Sequence, residues 1–262
     1  MKPKINILRF VYRAFLTGFP FITYNPFNSN TFQTSFDVQP YSTYVNYKLD
    51  NSGINYLNNY LFRNTNNLKL EPVSIGKEME KNYFMSINIY NCTSPLFSFI
   101  KKEPITRCEI NTYVKNEDGE IGTLILSYAS NMLSMDPINI FKKASNLTNF
   151  DYVNNIIYCR AINSKFNFSI NFNVNKNDKL FFTDKNLHLY TDNIFYRNGI
   201  IDKLYYDSSL INSLCQVPSY YNNLYFKFED LILTNPHSIF YFKNKISFSG
   251  TMWENLKEFK ID

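Results

Sequence analysis

Glycine is scarce in this chain of 262 residues, at only 7. No Gly-rich loop exists that could gather backbone amides around a phosphate, and no Gly-x-Ser-x-Gly turn presents a nucleophilic serine. Histidine is scarcer, at 2. A Ser-His-Asp triad through His188 or His237 can be drawn on paper, but no elbow motif supports it. The four cysteines, Cys92, Cys108, Cys159 and Cys215, stand far apart, with neither Cys-x-x-Cys nor mixed Cys/His spacing. No zinc site, other metal or cofactor is expected. Cys108 and Cys159 fall in apolar-patterned segments, where a free thiol behaves as a small hydrophobe. They read as reduced, in a cytoplasmic compartment; one or two disulfides in a secreted chain is the alternative. Runs of about 18 apolar residues are missing, so no transmembrane helix is expected.

Excess charge is also small. The 27 basic and 22 acidic side chains leave a formal +5. They are scattered along the chain, whereas nucleic-acid binders cluster their cations, so nucleic acid is not the expected partner. Tyr225-Phe226-Lys227-Phe228 could stack on bases, but alternation along a strand explains it more simply.

Aromatic side chains are abundant. They make up 18% of the chain, with 25 Phe and 21 Tyr, and hydrophobic residues make up 45%. Asn, Ile, Lys, Tyr and Phe dominate, a bias that A+T-rich codons produce, so isolated Lys and Asn residues carry little weight. A large DNA virus, a protist, an organelle or a low-G+C bacterium would all supply such a genome.

The length suits one large β domain or two small ones, and residues 41–262 read as a single domain. Residues 1–40 form a basic, aromatic segment whose role stays open. Its first acid is Asp37, and Ile5, Leu8, Tyr12 and Phe15 recur at helical spacing. A mitochondrial presequence, a membrane-surface or partner-binding helix, and an ordinary packed segment all fit. Residues 19–53 read as loops with short strands. A helix is expected within 56–70.

From residue 82 the pattern is β. Tyr83, Met85, Ile87 and Ile89 alternate with Phe84, Ser86, Asn88 and Tyr90, as in a half-buried strand. Arg107–Val114 and Ile121–Tyr128 flank Asn116-Glu117-Asp118-Gly119, the clearest hairpin signal. Asp136-Pro137 starts a short helix ending near Ala144. Strands are expected at 155–162, 166–174, 180–183, 187–191, 194–197, 201–206, 225–233 and 239–248. The expected fold is mainly β (α+β), one closed or nearly closed antiparallel sheet system with a few short helices. An immunoglobulin-like sandwich competes, but needs fewer residues and no helix after the hairpin.

Several segments fall in a telling order: Glu109-Ile110-Asn111-Thr112-Tyr113-Val114, Gly119 and Gly122, Lys142-Lys143, then Phe182-Thr183-Asp184-Lys185 and Leu189-Tyr190-Thr191. This order resembles the acetoacetate decarboxylase-like superfamily, closest to its uncharacterised YqjF-like branch, over residues 70–215. The resemblance implies an antiparallel β-barrel with a small-molecule pocket and Schiff-base chemistry on a keto acid, a decarboxylase-like lyase if Lys142 is buried. Lys142 would be the Schiff-base lysine, its pKa lowered by desolvation and by its cationic neighbour Lys143. Glu109 would line the pocket and position substrate or move a proton. Arg107 could hold a substrate carboxylate, or simply pair with Glu109 two residues along the same strand face. Tyr113 and Tyr190, in the matched segments, are further substrate-binding candidates.

The chain also departs from that pattern. Asn139-Ile140-Phe141 precede the lysines where the decarboxylase has Gly and Pro, and Tyr205–Leu210 lack the branch's His and Trp. Lys101-Lys102 shows that adjacent lysines occur here without such a role. A non-catalytic pseudoenzyme, acting as a binding or structural subunit, for example of a large DNA virus, therefore stands as the alternative. A homo-oligomer is compatible with either.

Overall fold

The structure is a computed structural model of the whole chain. It describes residues 23–24, 32–65, 67–75, 80–93, 105–131, 148–175, 192–197, 200–206, 214–217 and 221–254. The expected helix at 137–144, the strands at 180–183 and 187–191, and Lys142, Lys143, His188 and Tyr190 lie outside them, as does most of the N-terminal segment.

The strands are β1 (Thr23–Tyr24), β2 (Phe32–Val38), β3 (Thr43–Lys48), β4 (Lys69–Leu70), β5 (Phe84–Thr93), β6 (Ile105–Lys115), β7 (Ile121–Ser130), β8 (Thr148–Val153) and β9 (Ile156–Ile162). They continue as β10 (Phe166–Asn173), β11 (Asp192–Arg197), β12 (Ile200–Tyr206), β13 (Leu214–Gln216), β14 (Tyr221–Phe228), β15 (Leu231–Leu233), β16 (Ser238–Phe242) and β17 (Ile246–Glu254). The one helix among the described residues is α1, Asn51–Asn64.

The described strands form two sheets rather than the one closed or nearly closed system expected. A 12-stranded sheet runs β1-β2-β17-β12-β11-β7-β6-β5-β3-β16-β13, with β4 on β6, and a 5-stranded sheet runs β15-β14-β10-β9-β8. A two-residue ladder, Asp37–Thr93 and Val38–Cys92, also links β2 to β5. With this link the pairings β2-β17-β12-β11-β7-β6-β5 return to β2, while β3, β16 and β13 extend the sheet beyond β5. Pairing is antiparallel except between β7 and β11, which are parallel.

The hairpin β6–β7 forms as its turn chemistry dictates. Gly119 takes φ +82, a left-handed value that favours glycine, and the Asn116 side chain accepts from the Glu120 amide at 2.8 Å. Elsewhere boundaries move. The expected strand 225–233 breaks at Glu229-Asp230 into β14 and β15, and 239–248 breaks into β16 and β17.

Helix α1 starts five residues earlier than its apolar spacing suggests, because Asp50 caps it. The Asp50 carboxylate accepts from the Gly53 amide at 2.8 Å. Leu57 and Leu61 face the core, and Tyr56 donates its hydroxyl to Glu229 in the β14–β15 turn. Asp50→Ala should lower stability by about 1 kcal/mol; urea unfolding measures it, and an unchanged midpoint would show that the cap is dispensable.

Each face of the large sheet has its own core. On one, Val45, Tyr47, Ile87, Cys108 and Ile110 pack against Phe168, Ile170, Phe226 and Phe228 of the small sheet. Tyr47 stacks on Phe226 with ring centroids 5.3 Å apart. On the other, Phe84, Cys92, Ile105, Tyr113, Phe240 and Phe242 cluster. Strand β5 is therefore not half-buried: Phe84 through Ile89 are all buried, polar residues included.

Candidate functional site

Strand alternation puts Arg107, Glu109, Asn111 and Tyr113 on one face of β6, with Cys108, Ile110, Thr112 and Val114 on the other. The β5–β6 register sets Ser86 beside Asn111, Asn88 beside Glu109 and Tyr90 beside Arg107. Across β7, Tyr128 pairs with Glu109 and Ser130 with Arg107. One face of three adjacent strands thus carries a polar patch inside the protein. Arg107 is 1% exposed, Asn111 3%, Glu109 5% and Asn88 6%.

Part of this face is a closed hydrogen-bond network. Ser86 Oγ donates to Asn46 Oδ1 at 2.6 Å, and Asn46 Nδ2 donates to Ser238 Oγ at 3.2 Å. The Tyr113 hydroxyl lies 3.2 Å from Ser86 Oγ. Tyr113, a substrate-binding candidate, thus sits on the patch with its hydroxyl engaged by Ser86.

The neighbouring part is different. Arg107 Nε donates to Glu109 Oε1 at 2.5 Å, and the Tyr90 hydroxyl donates to the same oxygen at 3.1 Å. The Arg107 guanidinium carbon lies 4.4 Å from the Tyr128 ring centroid. Its two terminal nitrogens, Nη1 and Nη2, are buried with no hydrogen-bond partner, as are Asn88 Oδ1 and Asn111 Oδ1. Buried polar atoms are nearly always paired, and leaving one unpaired costs about 1–3 kcal/mol. Four such atoms lie on one face of two paired strands.

Electrostatics hold the arrangement charged. Burial pushes the Arg107 pKa down, but Glu109, Tyr90 and Tyr128 push it up more strongly, and the guanidinium stays a cation. Burial foremost, then the Glu109 charge, lifts Tyr90 well above its usual value, so it remains a donor. Burial also pushes the Cys92 thiol up to about 12, which keeps it protonated and poorly nucleophilic. All four cysteines are free and buried.

Arg107 and Glu109 pair, as their spacing allows, but as a buried pair with the guanidinium's outer edge unspent. Asn88, Asn111, Tyr90 and Tyr128 were not singled out from sequence. The available signal was the alignment of two polar half-faces, Ser86/Asn88/Tyr90 on β5 and Arg107/Glu109/Asn111 on β6, once the strands are paired. Among the described residues no group of His, Cys, Asp and Glu could hold a metal ion, and no helix is long and apolar enough to cross a membrane.

No family model matches the chain, and no curated protein matches it. It is similar in structure to the enduracididine biosynthesis enzyme MppR, complexed with the condensation product of pyruvate and imidazole 4-carboxaldehyde. The TM-score is 0.50 at 9% identity, over 86% of this chain and 90% of that one. An acetoacetate decarboxylase-like enzyme from Sphingomonas wittichii RW1 is also similar, with a TM-score of 0.49 at 9% identity, over 84% of this chain and 93% of that one. At such identity the likeness to MppR shows a shared fold and nothing finer.

Proposed function

We propose that the protein binds a small carboxylic acid, a keto acid by preference, with Arg107 as the carboxylate anchor. The observation that carries this reading is the pair of unpartnered Nη atoms on a buried guanidinium. Two parallel N–H donors match the two oxygens of a carboxylate, and a charge-assisted pair of this kind is among the strongest hydrogen-bonded contacts. Glu109 fixes the guanidinium through Nε and Tyr128 lies against its face, so little freedom is lost when the ligand arrives.

The resemblance adds the chemistry. A neutral Lys142 amine would attack the ketone carbon, and the carbonyl oxygen would leave as water. The resulting iminium accepts the electron pair of a breaking bond, and water then releases product and lysine. Lys143 would keep Lys142 neutral. Glu109 would position the anchor and exchange a proton with the ligand.

A cation clamped on a carboxylate stabilises that group in the ground state. It therefore opposes loss of the same carboxylate as carbon dioxide. The anchor favours a reaction that retains the carboxylate it holds, as for a pyruvate-type acid, and the pyruvate-derived ligand of MppR is consistent with that preference. The non-catalytic alternative has its own support: Glu109 Oε1 already accepts from Arg107 and Tyr90, as a purely positioning residue would.

Calorimetry with pyruvate and acetoacetate, followed by borohydride trapping and intact-mass detection, tests both. Arg107→Lys keeps the charge but loses the planar pair of donors, and should weaken binding on the order of 10- to 100-fold. A trapped adduct absent from Lys142→Ala would establish the Schiff base. Binding without an adduct would favour the binding protein. Failure of any small carboxylate to bind at millimolar concentration would overturn the proposal.

A further inference from the structure

The small sheet has an outer face that the Arg107 site does not use. Its inward side chains, among them Phe168, Ile170, Phe226 and Phe228, pack on the large sheet. Strand alternation sends the residues between them outward. Along β10, the central strand, these are Asn167, Ser169 and Asn171, all half-buried. On β9, Tyr158 lies beside Asn171 and Arg160 beside Ser169. On β14, Tyr225 lies beside Ser169 and Lys227 beside Asn167. These four flanking side chains are exposed, Tyr158 by 42% and Tyr225 by 44%. Short polar side chains down the middle, with long ones on both sides, make a shallow trough along β10. Each wall holds one aromatic ring and one cation. Among the described residues neither Arg160 nor Lys227 has an ion partner. Asp151, the one acid on this face among those residues, stands on β8, beyond Tyr158 and outside the trough.

We propose that this trough binds single-stranded nucleic acid. Its occupant has to bring flat apolar faces for two tyrosines, negative charge for two cations, and polar edges for the Asn and Ser floor. Unpaired bases on a phosphate backbone bring all three, and sheet surfaces hold them on aromatic rings set among basic side chains. A duplex hides its base faces. A neutral sugar chain leaves the cations without a partner, and an acidic peptide has no flat face for the rings. Tyr158 and Tyr225 stand two strand spacings apart and two residues out of step, about 12 Å in all. Stacked nucleotides repeat at about 3.4 Å along a strand, so the two rings receive different bases. Cations scattered along the sequence argue against nucleic acid, but folding sets Arg160 and Lys227 on facing walls of one trough. Alternation in Tyr225-Phe226-Lys227-Phe228 accounts for the two buried phenylalanines and leaves the ring and the cation facing out. Arg107 lies on the far face of the large sheet from Cys108 and Ile110, which meet the small sheet. The trough and the acid site therefore stand or fall separately.

Fluorescence anisotropy of the full chain with labelled oligothymidylate and oligouridylate, each of about 12 nucleotides, tests this and tells DNA from RNA. At least one single strand should bind at low salt, and more tightly than a duplex of equal length. Its affinity should fall with salt at a log–log slope of about −1.4, from two phosphate contacts at about −0.7 each. Tyr158→Ala and Tyr225→Ala should each weaken binding roughly 5- to 100-fold. Tyr158→Phe and Tyr225→Phe keep the ring and should bind like the wild type. Arg160→Gln should reduce the slope to about −0.7. No binding at about 0.1 mM protein, the weak end for non-specific nucleic-acid contacts, would overturn the proposal. Equal or tighter binding of the duplex, or single-strand binding that both alanine variants leave unchanged, would do the same. So would tyrosine-dependent binding of a neutral glucan, or tyrosine-dependent self-association, where the oligonucleotides do not bind. The wild-type comparison of single strand with duplex decides even where an alanine variant fails to fold.

Discussion

Glu109→Ala should lose about 3–5 kcal/mol of folding stability, and pairing it with Arg107→Met should recover most of that loss. Arg107 is 1% exposed and donates to Glu109 at 2.5 Å. Removing the carboxylate strands a buried cation whose Nη1 and Nη2 already lack hydrogen-bond partners. An uncompensated buried charge is far costlier than the pair's net contribution. Replacing both charges with apolar groups of similar volume removes the uncompensated charge, and such exchanges are often neutral or stabilising. Urea unfolding of the four species of the double-mutant cycle, at neutral pH, measures the coupling. A loss under about 1 kcal/mol for Glu109→Ala would show that water reaches Arg107. A stable double variant that no longer binds carboxylates would separate the pair's structural role from its functional one.

Stability should fall steeply as pH rises from about 9 toward 12. Burial is the main cause that raises Cys92 and Tyr113 to about 12 from ordinary values of 9.0 and 10.0. Tyr90, Cys108 and Cys159 are raised well above their ordinary values, again mainly by burial. The unfolded chain releases these protons near the ordinary values while the folded chain keeps them. Above pH 9 the unfolded state therefore binds fewer protons, and folding stability declines. The contribution is fully present below pH 9 and disappears as pH passes the raised values, at about 1.4 kcal/mol per pH unit for each group inside its window.

Circular dichroism across that range, with thiol labelling alongside, follows the effect. At pH 8 the native protein should react slowly with a thiol reagent, and the four buried thiols should react together on unfolding. Rapid labelling of the native state, or stability flat to pH 11, would contradict the burial of these groups.

The hairpin β6–β7 and strand β10 could be read from sequence because local chemistry decides them. Asn116 to Gly119 admits only a tight turn, and Phe166, Phe168, Ile170 and Phe172 alternate with Asn167, Ser169 and Asn171 over one buried face. Helix α1 was half legible: its apolar spacing was visible, but Asn51-Ser52-Gly53 resembles a turn until Asp50 is seen to cap it. Strand β3 falls in a stretch read as loops and short strands, but its bounds were not legible, because it lies between β5 and β16 and four of its six residues are buried, erasing the period-two signal.

Sequence by itself determined the β class, the clearest hairpin, the absence of zinc-type spacing, and that Arg107 and Glu109 share a strand face. Those follow from interactions between residues close along the chain. Tertiary structure alone decided that the strands divide into two sheets, that β7 and β11 run parallel, and that the polar face of β5 and β6 is buried. Which polar atoms go unpaired depends on strands brought together from distant positions. Arg107, Asn88 and Asn111 look like ordinary surface residues until burial removes the water that would otherwise satisfy them.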